Sequence, residues 1–73
     1  MERQKYISLV AELRQIAVAK ALALLKDHDA AEDVAGEVLL KLWERHEDLH
    51  DDTDKVKHLA NVMAKNHSLN VLR

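Results

Sequence analysis

Apolar residues recur three and four apart along the first third of the chain: Tyr6, Leu9, Val10, Leu13, Ile16 and Ala17. That spacing is the period of an amphipathic helix and predicts one from about Glu2 to Leu25. From Ala17 to Leu25 only Lys20 interrupts a run of alanine, valine and leucine. A helix apolar nearly all round needs partners on more than one side. The polar string Lys26-Asp27-His28-Asp29 then breaks the run, a link of ordinary length between antiparallel helices. In the second stretch Ala31, Val34, Ala35, Val38, Leu39, Leu42 and Trp43 make a wide apolar face, with Glu32, Asp33, Gly36, Glu37, Lys41 and Glu44 largely opposite. Asp29 is the expected N-cap, with Glu32 in the capping-box position. Gly36 falls mid-helix on the polar side, where it costs about 1 kcal/mol against alanine. The helix is expected to fade between Arg45 and Leu49. His50 to Asp54 forms the next break, and Asp51, Asp52 or Thr53 can cap a third helix running to the end. Val56, Leu59, Ala60 and Met63, with Asn66 or His67, mark its inner face.

Seventy-three residues allow one small domain, taken as residues 1–73. There is no cysteine, no proline and a single glycine, which removes disulfides, thiolate metal sites and the punctuation of an all-β chain. With 48% hydrophobic residues, 33% charged and only 3% aromatic, the profile is that of a helical bundle. The expected fold is therefore all-α, a compact three-helix bundle, with a broken first helix as a variant. No apolar run is long enough to span a bilayer and no leader is visible, so the default location is cytoplasmic. The chain stops at Arg73 while still helical, which reads as a domain cut from something longer or lacking its tail. A formal net charge of −2 does not advertise nucleic-acid binding.

Few residues invite catalysis. His46 and His50 are four apart, with Asp51 and Asp54 nearby, but a two-histidine pattern at a helix end is weak. A solvated turn explains it better, so no metal or cofactor is expected. There is no glycine-rich phosphate loop and no Ser–His–Asp relay, hence no enzyme. Glu32, Asp33 and Glu37 cluster on one helix face. Three short helices leave little room for a cleft and so for acid–base work, which leaves helix-dipole complementarity with solubility, or docking of a basic partner. Trp43 is either core or an interface anchor.

The string from Asp29 to Trp43, with its Ala-Glu-Asp-Val start, Glu37, Lys41 and Trp43, resembles the second conserved region of bacterial RNA polymerase sigma factors. The resemblance is to the extracytoplasmic-function type in particular. Lys57 to Arg73, carrying Ala64-Lys65-Asn66, Leu69-Asn70 and Leu72-Arg73, follows that family's downstream string at its usual separation. Such a resemblance, over roughly residues 10 to 73, implies a compact helical domain that docks on the clamp coiled coil of core polymerase. It also implies recognition and melting of the promoter element just upstream of the start site, chiefly through the non-template single strand. The docking contacts carry over to Asp33, Gly36, Glu37, Leu40 and Trp43. The promoter contacts carry over to the 49–56 loop with His50, and to Asn61, Lys65, Asn66 and Arg73. A cognate anti-sigma factor is the further partner implied. The family's helix-turn-helix domain, which reads the upstream promoter element, is absent from these residues. Three departures stand out: Gly36 replaces a glutamine, Leu59 and Asn61 replace aromatics, and the loop is acidic through Asp48, Asp51, Asp52 and Asp54. The acidic loop and the scarcity of aromatics favour an alternative, a regulatory helical module that binds polymerase or an anti-sigma factor without touching DNA.

Overall fold

The computed structural model describes residues 1–73. Three helices, α1 (Arg3–Leu25), α2 (His28–Glu44) and α3 (Thr53–Leu72), and one short 3-10 turn (His46–Asp48) make up the chain, with no strand. The all-α three-helix reading holds. The variant with a broken first helix does not, because α1 is continuous from Arg3 to Leu25. Nothing in that stretch can break it: it holds no proline and no glycine, and it is rich in alanine and leucine.

The first link is shorter than its polar string suggests. Lys26 adopts the left-handed conformation, φ 58° and ψ 27°, and reverses the chain at once. Asp27 is then already extended, and its carboxylate accepts the Ala30 N–H at 3.0 Å. The N-cap is therefore Asp27, not Asp29, which lies in the first turn and complements the helix dipole. At the second break Asp52 is the cap, its carboxylate accepting the Asp54 N–H at 3.0 Å.

Helix α1 lies between the other two and packs heavily against both, whereas α2 and α3 meet more sparsely. Its buried residues are Tyr6, Leu9, Leu13, Ala17 and Ala21. They face Ala31, Val34, Ala35, Val38 and Leu42 of α2, and Val56, Ala60, Ala64 and Ser68 of α3. Alanine at so many seam positions lets the helix backbones come close. Leu59 and Met63 only lean on this core, so α3 turns a smaller-sided stripe inward than its larger side chains suggest. The N-terminal end ties the lower part of the bundle together. The Met1 amino group donates to the carbonyls of His46, Glu47 and Leu49 at 2.9, 3.2 and 2.7 Å. Lys5 Nζ donates to the Asp51 carbonyl at 2.6 Å. Glu12 pairs with Lys57 at 2.7 Å, and Arg14 with Glu32, linking α1 to α3 and to α2.

Ser68 breaks the pattern of satisfied groups. It is fully buried and its hydroxyl has no hydrogen-bond partner. Unpaired buried hydroxyls are destabilising by about 1–3 kcal/mol. Ser68→Ala is expected to raise stability by about 1 kcal/mol, or roughly 4–8 °C in Tm for a domain this size. A lower midpoint in thermal and urea melts would mean that the hydroxyl is bonded in solution.

Candidate functional site

Two groups of side chains stand apart from the core, one on α2 and one spread along α3 and the loop before it. On α2, Asp33, Gly36, Glu37, Leu40 and Trp43 all face solvent. At about 100° per residue they fall in the order Trp43, Gly36, Leu40, Asp33, Glu37 around roughly 120° of helix surface. Trp43 is on the α1 side and Glu37 on the α3 side. All five docking candidates thus share one face. Leu40 is 52% exposed and Trp43 38%, so neither is a core residue. Gly36 sits in the middle with no positive φ, and a Cβ added there would meet nothing within 4 Å. Neither backbone conformation nor packing within the chain requires a glycine.

Trp43 is held rigidly on one side. Its ring stacks on His46, with centroids 4.2 Å apart and planes 7° apart. Tyr6, buried in α1, lies 5.7 Å from Trp43 and 6.0 Å from His46. The His46 Nδ1 lies 2.7 Å from the Trp43 carbonyl oxygen. A carbonyl only accepts, so that ring nitrogen carries the hydrogen. Sequence reasoning missed this stack. The spacing of three between Trp43 and His46, repeated once per helical turn, was the available signal.

His46 and His50 do not assemble with the nearby carboxylates. The 3-10 turn and the extended Leu49 destroy the helical spacing between them. No group of three or more His, Asp or Glu residues is arranged to hold a metal ion. Instead the His50 Nδ1 accepts the Asp52 N–H at 2.9 Å, which leaves Nε2 as its donor.

The five DNA candidates do not form one cluster. The twenty residues of α3 span about 30 Å. His50 lies before its start and Arg73 at its end, so no single base touches both. Asn61 is half-buried, while Lys65, Asn66 and Arg73 are exposed. Asn61 and Lys65 are one turn apart and lie together. Asn66 turns toward α2 and lines a hollow with Val38, Lys41, Met63, His67 and Asn70. A second hollow adjoins it, lined by Ala30, Asp33, Val34, Glu37, His67 and Val71. Asp33 and Glu37 therefore border the same groove as Asn66, a proximity that the sequence does not reveal.

Lys57 is engaged rather than free. The Glu12 carboxylate against it, through a hydrogen bond and its charge, raises its pKa above 10.5. No helix of the chain is long and apolar enough to cross a membrane.

A family model described as Sigma-70 region 2 matches residues 9–73. That stretch contains every docking and DNA candidate, but not Met1, Lys5 or Tyr6. The family comprises sigma factor domains involved in RNA polymerase binding and promoter recognition. No curated protein and no solved structure matches the chain.

Tyr6 gives a pH test of the stack's foundation. Its hydroxyl donates to the Leu39 carbonyl at 3.1 Å, and burial raises its pKa above 10.0. The folded state thus holds the phenol neutral. Its contribution is complete below the unfolded value and is lost as pH rises through about 10 and above. Tyr6→Phe is expected to lower stability by about 1 kcal/mol at pH 7 through the lost hydrogen bond. The deficit should shrink above pH 10 in urea melts across pH; a deficit that stays constant would contradict a buried neutral phenol.

Proposed function

The chain belongs to the sigma-70 region 2 family, and we propose that it docks on the clamp coiled coil of core RNA polymerase through α2. In that complex it handles the promoter element just upstream of the start site. The observation that carries this reading is the exposed face of Asp33, Gly36, Glu37, Leu40 and Trp43, which neither the core nor an intrachain ion pair uses. Its two carboxylates attract a basic coiled coil and set the register of docking. Its large apolar residues, Leu40 and the braced Trp43, supply the area to be buried. The domain takes part in initiation by binding, with no catalytic step of its own. The proposal extends to an extracytoplasmic-function subtype and to control by an anti-sigma factor, both of which rest on the sequence resemblance.

DNA handling follows from proximity. The acidic loop repels phosphates, and Lys57 is paired with Glu12, so Lys65 and Arg73 carry most of the attraction on α3. Polymerase holds the domain beside the separated strands, and local concentration replaces intrinsic affinity. His50, whose Nε2 is a fixed donor, and Asn61 and Asn66, whose amides both donate and accept, are the groups suited to base edges. The rival reading, a module that binds polymerase without touching DNA, draws on Asp48, Asp51, Asp52 and Asp54 around the loop.

Glu37→Lys is expected to lower affinity for core polymerase several-fold without loss of helicity. Unchanged titration curves would remove this face from the interface. On promoter complexes, Lys65→Ala should weaken all sequences alike and reduce the salt dependence. Asn66→Ala should weaken binding to promoters that carry the base it reads and not to those in which that base is changed; equal loss on every promoter would count against base reading.

A further inference from the structure

The groove between α2 and α3 is a surface that the sequence did not suggest. It runs along α2 from Ala30 to Lys41, about 16 Å or three helical turns. The buried Val34 and Val38 of α2 lie at its base, with the half-buried Met63 and the exposed Val71 of α3 at its side. Its walls are not alike. The α2 wall carries Asp33 and Glu37 toward the Ala30 end, neither with an ion-pair partner in the chain, and Lys41 at the other end. The α3 wall carries the amides of Asn66 and Asn70, and His67 borders both hollows. The groove lies on the far side from α1, where α2 and α3 pack against each other more sparsely than either packs against α1.

We infer that this groove seats a basic amphipathic helix of core polymerase, so that the docking surface extends from the outward face of α2 onto α3. The inference rests on the polymerase reading above and adds α3 to it. An apolar floor of this length accepts side chains spaced three and four apart on one helix. Two unpaired carboxylates on one wall call for lysine or arginine on the near edge of that helix. Asn70 then hydrogen-bonds across the other edge. A phosphate backbone is a poorer occupant, since Asp33 and Glu37 line the groove and repel it. Lys65 and Asn61, on the other side of α3, stay clear of the groove.

Asn70→Trp tests this, because an indole on the exposed Asn70 fills the groove without touching the core. His58→Trp places the same ring on the outward side of α3, on the face of Asn61 and Lys65 and away from the groove, and so serves as the control for core binding. Each variant is titrated against core polymerase free of DNA, and separately against a single-stranded non-template oligonucleotide, after a thermal melt shows it folded. Asn70→Trp should weaken core binding about tenfold, with His58→Trp near wild type. Core binding unchanged by Asn70→Trp overturns the inference. Should Glu37→Lys still weaken binding in that case, docking through α2 stands and only its extension onto α3 falls. Should both leave it unchanged, the polymerase reading falls too. Weaker oligonucleotide binding by Asn70→Trp, with core affinity intact, also overturns the inference and hands the groove to DNA.

Discussion

Ala17 and Ala21 of α1 are fully buried, and each offers only a methyl group to its neighbours. Such a seam gains its stability from close backbone approach, not from large interdigitating side chains. Ala31 and Ala35 answer from α2, and Ala60, Ala64 and Ser68 from α3. One helix therefore satisfies two partners on adjacent sides. The geometry that results is asymmetric: two tight seams, and one loose junction that opens as the groove between α2 and α3. The outward face of α2 and the groove are both consequences of where α1 sits.

Much of this was legible in the sequence, for physical reasons that differ by segment. The period of Tyr6, Leu9 and Leu13 fixed the inner face of α1, and Val34, Val38 and Leu42 that of α2. Asp52 was among the caps expected, since carboxylates ahead of an apolar-periodic run favour that position. The first turn was misplaced because Lys26, not glycine, occupies the left-handed residue. A lysine there carries no sequence mark. The inner face of α3 was only half visible. Ala64 and Ser68 are small enough to read as neutral, while Leu59 and Met63 attract attention by size.

The site was legible as composition and motif, but not as arrangement. Asp33, Gly36, Glu37, Leu40 and Trp43 share a face because helical spacing guarantees it. The promoter candidates were harder, since His50 and Arg73 belong to opposite ends of α3, and Asn61 and Asn66 to opposite sides of it. The groove, the brace of His46 on Trp43 and the Met1 amine on the 46–49 carbonyls are tertiary facts. No local pattern encodes the groove or the Met1 contacts, and only the spacing of three points to the brace. On the proposed function they matter because they hold the loop and one edge of the exposed α2 face in place before any partner arrives, which reduces the ordering cost of association.

The central claim is that one small bundle turns α2 to polymerase and the outer side of α3 to the separated DNA strand. Site-specific photocrosslinking on an assembled promoter complex tests it most directly, with a benzophenone side chain at Leu40 in one protein and at Lys65 in another. The account expects the Leu40 probe to label a polymerase subunit and not DNA, and the Lys65 probe to label the non-template strand. A Leu40 probe that labels DNA, or a Lys65 probe that labels only polymerase, would contradict it.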